Sequence, residues 1–199
     1  MSPLASSLIP LIAVLNFSHV PNQTVQRWVV EIQRQVHEDL APHWHLDATV
    51  AVGDPTAPPP GSWQIRIVEG KGREGNAGYH ISMDDHGIPY GDVYNLPSPE
   101  LTDRTLSHEV LEMLVNPYDD RYAEDYPWMW YLEIADPVEG ESYTRNGVHL
   151  SNFVFPGWFD DLTRTPQLDF MGTCDTPGHP HHGRAIRVDQ RNGRREVVM

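Results

Sequence analysis

Apolar residues recur along this chain with two different periods, and the points where one period gives way to the other outline its elements. Ile9 to Asn16 is β-branched and apolar, which predicts a strand buried on both faces. After Pro21-Asn22, the residues Val25, Trp28, Val29, Ile32, Val36 and Leu40 fall three and four apart. That spacing predicts an amphipathic helix of roughly five turns, with Asn22 as N-cap and Pro42 as its stop. Leu46 to Val52 and Trp63 to Val68 alternate with period two around the turn-forming Gly53-Asp54-Pro55 and Pro58-Pro59-Pro60-Gly61, so both read as strands. Beyond the Gly-rich, charged segment Lys71 to Asn76, two short strands are expected at Gly78 to Met83 and Gly91 to Tyr94. Asp84-Asp85-His86-Gly87 is the turn between them, and the glycines and polar residues suit a sheet edge.

In the second half, Leu106, Val110, Met113 and Leu114 form the apolar stripe of a helix, with Thr102 as expected N-cap and Asn116-Pro117 as its end. Tyr118 to Tyr126 reads as a loop, and Trp128 to Asp136 fits a short helix or an extended segment equally well. Ser142 to Val154 alternates around Arg145-Asn146-Gly147, where Asn-Gly predicts a type I′ hairpin turn. Ala185 to Val198 predicts a second hairpin turned at Asn192-Gly193, and Pro156 to His182 between them is irregular. The order gives an α+β fold: a mixed sheet with a backing helix and a second helix, then an irregular C-terminal region with hairpins. The length of 199 residues suits one domain, in which residues 1–117 supply the sheet and the second helix and residues 118–199 a C-terminal subdomain.

Charge narrows the partners. A formal net charge of -14 disfavours nucleic acid and anionic membrane, which need clustered Lys and Arg. The apolar run Leu8 to Phe17 is too short to span a bilayer and has no basic flank, so a cytoplasmic protein is expected. Cys174 is the single cysteine, which rules out an internal disulfide and a cysteine metal cage. Any metal must be held by His and carboxylate side chains.

Ser107-His108-Glu109-Val110-Leu111-Glu112 supplies such side chains in H-E-x-x-E order on the second helix. Residues four apart share a helix face, so His108 and Glu112 can grip one ion while Glu109 stands beside them. His108 would bind through one ring nitrogen with the other held by an acceptor. Glu109, itself unbound, is placed to take a proton from a polarised water and return it to a leaving amine. The alternative for each is a solvated helical side chain. Glu112 replaces the second histidine of H-E-x-x-H, and carboxylate oxygen is an acceptable zinc ligand.

This motif helix, following an edge strand, resembles the zincin metallopeptidases over roughly Ile9 to Asp136. Ser-His-Glu-Val-Leu-Glu-Met-Leu, with Ala135-Asp136-Pro137-Val138-Glu139 and Ser151-Asn152-Phe153 downstream, is also similar to uncharacterised peptidase-like proteins of phages and bacteria. The resemblance implies a zincin-like mixed sheet, an active-site helix, an edge strand that pairs with an extended peptide or protein substrate, and a third ligand downstream. Glu133 is favoured for that ligand, at a spacing similar to that of glutamate-type zincins, where a following helix carries it. Asp136, Glu139 and His149 are rivals, and Asp136 is also placed to orient a ligand. Zinc is the expected ion, with Mn²⁺ or Ca²⁺ admitted by the oxygen-rich set. Tyr143 or His149, on the hairpin after the third ligand, would donate to the oxyanion. His179, His181 and His182 would hold a further ion or be merely exposed. The aromatic residues from Trp128 to Phe159 belong mostly to the core, with a few available for a specificity pocket.

Other chemistries lack their signatures. There is no Gly-x-Ser-x-Gly elbow, phosphate loop or dinucleotide fingerprint, and Thr105 stands where a di-iron bundle would need Glu. Two functions remain: a metal-dependent peptidase, or a non-catalytic structural or interaction protein stabilised by a metal.

Overall fold

The computed structural model describes residues 9–70, 72, 76–81, 87–160 and 166–199. Strands β1 (Leu11–Asn16), β2 (Thr49–Gly53), β3 (Trp63–Glu69), β4 (Gly78–Ile81) and β5 (Tyr90–Asn95) form a sheet in the order β2-β1-β3-β5-β4. The first three pairings are parallel, and β4 runs antiparallel along β5 at the edge. Parallel strands are covered on both faces, and accordingly Ile12, Ala13, Val14 and Leu15 of β1 are all buried. The expected strand from Leu46 begins only at Thr49. Ser82, Met83, Asp84, Asp85 and His86, expected as strand end and turn, lie outside the described residues, as do Lys71 and 73–75 of the charged segment.

Helix α1 (Asn22–Arg34) presents Val25, Trp28, Val29 and Ile32 to the core, as their spacing requires. Pro21 takes the N-cap position that Asn22 was expected to fill. Pro42 does not stop the helical path. A π-helical stretch at Gln35–Leu40 widens the winding, with the Ala41 N–H bonded to Val36 O, and the chain continues as α2 (Ala41–Trp44). The wider turn takes up a proline that has no N–H to give and whose ring would crowd a tighter turn. His45, in the left-handed region at φ 55°, ends it.

Helix α3 (Pro99–Val115) carries the H-E-x-x-E residues. It starts earlier than its apolar stripe suggested, with Pro99 at its first turn; Thr102 lies within it and accepts the Leu96 N–H through Oγ1 at 3.0 Å. It packs on β3, β4 and β5, beside α1. A hairpin of β8 (Ser142–Arg145) and β9 (Val148–Ser151) lies against α3, and Asn146 and Gly147 both have positive φ, as a type I′ turn needs. A buried network pins this hairpin: Ser107 donates to Gln35 Oε1 at 2.7 Å, Gln35 donates to Ser151 O at 2.9 Å, and Ser151 N–H donates to Ser107 Oγ at 3.0 Å.

The ambiguous aromatic segment is extended. Trp128–Tyr131 forms β7, paired antiparallel with β6 (Tyr122–Asp125), which lies inside the expected loop. Strands β10 (Ala185–Asp189) and β11 (Arg195–Val198) complete a second, antiparallel sheet in the order β11-β10-β7-β6, joined by a longer loop than the two residues Asn192-Gly193. One cluster of buried residues, from Ile12 through Leu111 to Trp158, runs through both halves of the chain.

Candidate metal and catalytic site

The last turns of α3, the edge strand β4 and the loop after β7 converge on one pocket. His108 and Glu112, one helical turn apart, approach to 3.1 Å between Nε2 and Oε2. The same His108 nitrogen lies 3.5 Å from Asp136 Oδ1. Ligand atoms of His108, Glu112 and Asp136 all fall within 4.8 Å of one another. Glu112 is 4 % exposed, and its second oxygen, Oε1, accepts the backbone N–H groups of Ala135 and Asp136, each at 3.1 Å. One carboxylate therefore aims an oxygen at His108 and anchors the turn that carries Asp136.

That turn is pressed into place from behind. A β-carbon on Gly183 would lie 2.0 Å from Asp136 O, so only glycine permits the approach by which Arg184 N–H reaches that carbonyl at 3.0 Å. The Arg184 guanidinium stands 3.5 Å from Asp136 Oδ2.

Glu133 does not sit on a helix: it follows β7 in a loop. Its Oε1 accepts from Asn116 Nδ2 at 3.2 Å, and Asn116 in turn is fixed at the end of α3, its Oδ1 receiving the N–H groups of Asp120 and Arg121. The structure thus closes the His108–Glu112 pair with Asp136, and places Glu133 in a different trio with Glu112 and His80.

His80 has no place among the residues expected from the sequence. It projects from β4 with a side chain only 5 % exposed, its Nδ1 3.4 Å from Glu109 Oε2 and 4.0 Å from Glu112 Oε2. Glycine two residues earlier permits this closeness, because a β-carbon on Gly78 would lie 2.7 Å from Thr105 Cγ2 and 2.8 Å from Glu109 Oε1. A Gly-x-His in an edge strand before a motif helix is the available signal, and a weak one.

Tyr143 and His149 are corrected as oxyanion donors, and His149 as a rival third ligand. The Tyr143 hydroxyl donates to Asp39 on the π-helical stretch, and His149 is held through backbone N–H and Nδ1 by Asp103 Oδ2 at 2.9 and 3.3 Å. Neither lines the pocket, because their hairpin packs on a different side of α3. Glu139 does line it. His181 and His182 gather around Glu141 with much of each ring exposed, while His179 bonds Pro177 O instead. Among the aromatic residues, Trp130, Phe153, Phe155, Trp158 and Phe159 are core, and Tyr131 reaches the pocket wall.

The electrostatics follow from burying so many ionisable groups together. Burial opposes the charged form of His80, but the Glu109 hydrogen bond and the charges of Glu133, Glu109 and Glu112 outweigh it and push its pKa up to about 10. His108 is raised for the same reason, against its own desolvation, by Glu112 and Asp136. Burial raises Glu109 and Glu133, and the Glu112 charge adds to both. Glu112 goes the other way: burial is outweighed by His108, which brings it down to about 2.

Both imidazoles bind protons more tightly folded than unfolded. Their stabilisation is complete below the ordinary 6.5 and is lost as pH climbs towards the folded value, about 10 for His80. Glu109 and Glu133, raised from 4.5, act in the same sense. Metal-free protein is therefore expected to melt at progressively lower temperature between pH 6.5 and 10. Glu112 adds a separate loss as pH falls from 4.5 towards about 2. Thermal denaturation across this range checks it, and a melting temperature that rises with pH would contradict the assignment.

No protein-family model, no curated protein and no solved structure matches this chain. Among the described residues, no helix is long and apolar enough to cross a membrane.

Proposed function

We propose that this chain is a metal-dependent hydrolase of the zincin kind that cleaves peptide bonds. The observation that supports it best is the convergence of His108 Nε2, Glu112 Oε2 and Asp136 Oδ1, with Glu109 buried beside them on the same helix. One nitrogen and two carboxylate oxygens suit zinc and also admit manganese. These three residues would hold the ion, which when bound supplies Lewis acidity and a more acidic water.

The protein's own groups account for the rest. Glu109 has its carboxylate pKa raised by burial, which moves it towards the neutral range where a general base works best. It takes a proton from the attacking water and delivers it to the departing amine. His80 Nδ1 orients that carboxylate from the edge strand. Strand β4 pairs with β5 on one side and with no other strand of the described residues, so its free edge can receive an extended peptide by main-chain hydrogen bonding. The acidic surface argues for a protein or peptide substrate over a nucleic acid. A single cysteine suits a reducing, cytoplasmic setting.

A second reading is favoured by the way Glu112 ties α3 to the turn at Ala135 and Asp136: an ion there would clamp helix to loop and serve stability alone. Chelation separates the two. Protein stripped with a strong chelator and assayed on a denatured protein substrate is expected to lose cleavage, and zinc is expected to restore it. Zinc-loaded protein that cleaves no peptide, yet melts higher than the stripped form, would leave only the structural role.

A further inference from the structure

The pocket contains more ligand atoms than one ion needs, and they are arranged as two sets. His108, Glu112 and Asp136 form one, and His80, Glu112 and Glu133 form the other, with Glu112 common to both. His80 is the telling member. Its Nε2 is buried with no hydrogen-bond partner among the described residues, although unpaired buried polar atoms are rare in folded proteins. Among the described residues, the nearest carboxylate oxygen on that side, Glu133 Oε2, is 3.9 Å away. This is too far for a hydrogen bond. It is instead the separation expected of two atoms that each lie about 2.0 to 2.2 Å from a shared ion, which can be at most about 4.4 Å apart.

The other ring nitrogen strengthens the case. His80 Nδ1 faces Glu109 Oε2 at 3.4 Å, and a metal-bound histidine ordinarily gives its second ring N–H to a carboxylate. Glu133 is likewise oriented from behind by Asn116. Glu112, fixed through Oε1 by two backbone N–H groups, has Oε2 3.1 Å from His108 Nε2 and 4.0 Å from His80 Nδ1, and it offers a ligand atom within 4.8 Å of those of His80 and Glu133.

We propose that this pocket binds two divalent cations, one held by His108 and Asp136 and the other by His80 and Glu133, with Glu112 shared between them. The proposal rests on the metal-binding component of the reading above and changes its chemistry. Two ions held here would orient the attacking water and stabilise charge on both the attacking and the leaving atoms. His80 then belongs to the metal centre, where a single-ion site would leave it only to orient Glu109 through Nδ1.

The test is a titration of the metal-free 199-residue chain with zinc chloride, followed by calorimetry and native mass spectrometry. The exposed group of Glu141, His181 and His182 is disabled first by His181→Ala and His182→Ala, so that it contributes no ion. Two equivalents are expected, falling to one in His80→Ala and also in the isosteric Glu133→Gln, whose circular dichroism reports whether the fold is kept. Saturation at one equivalent in the parent, or a stoichiometry unchanged in a folded Glu133→Gln, would overturn the proposal. Peptide cleavage with one bound ion would sink the paired site and keep the hydrolase. Two bound ions without cleavage would do the opposite.

Discussion

Glu112→Ala is expected to abolish zinc binding and to lower the stability of the metal-free protein by about 3–5 kcal/mol, the usual cost of removing one partner from a buried charged pair. Two losses combine. The backbone N–H groups of Ala135 and Asp136 lose the oxygen that both of them share, and a buried donor left unpaired costs roughly 1–3 kcal/mol. His108, 3.1 Å from Glu112, also loses the nearest carboxylate that supports its charged form. Glu112→Gln separates these effects. Its amide oxygen can still accept the two N–H groups, so its stability should lie closer to the parent, but it lacks the charge that a divalent ion requires. Denaturant unfolding of metal-free protein, with calorimetry for zinc, reads both quantities. Parent-like unfolding of Glu112→Ala would show that the carboxylate does not fasten the turn.

The second large effect concerns the chemistry. Glu109→Gln is expected to reduce the turnover number by about 10²–10⁴-fold, the range for a lost general base, while the ion content stays at the parent level. Glu109 is not a member of either ligand trio, and an amide in its place occupies the same volume against Gly78. The fall should therefore appear in turnover, with little change in substrate affinity, because the interaction is made in the transition state. A Glu109→Gln protein that cleaves at the parent rate would remove the base from the mechanism. One that loses its ion as well would make Glu109 a ligand.

Much of this was legible in the chain because it is locally encoded. Helix α3 is set by an apolar stripe and ended by Asn116-Pro117, and a helix must bring residues four apart onto one face, so His108 and Glu112 had to meet. The Asn146-Gly147 turn follows from the backbone angles those residues accept. Pro42 misled because a proline forbids one hydrogen bond but not a wider winding around it.

The rest of the site depends on how distant segments dock. Trp128–Tyr131 carries four large residues with no polar punctuation, so helix and strand were equally plausible until its pairing with β6 and β10 chose the strand. That choice decides which acidic residue meets His108: extended backbone through Tyr131 carries Asp136, not Glu133, to the N–H-bonded turn. Tyr143 and His149 were assigned by their closeness in sequence to the acidic segment, whereas Asp39 and Asp103 draw them elsewhere. His80 was invisible for the opposite reason, since nothing between it and His108 indicates that β4 lies along α3.

The ligand trios have a further property that bears on when the protein can act. His80, His108 and Glu112 lie within residues 1–117, and Glu133 and Asp136 within residues 118–199, so neither stretch of chain owns a complete set. Glu112 gains its two backbone partners only when the later segment arrives. During synthesis the motif helix can form before the chain contains the residues that finish the centre. In the metal-dependent hydrolase proposed above, capture of an ion would wait on docking of the C-terminal segment, and a half-made chain with an exposed H-E-x-x-E helix would have no assembled centre with which to attack its neighbours.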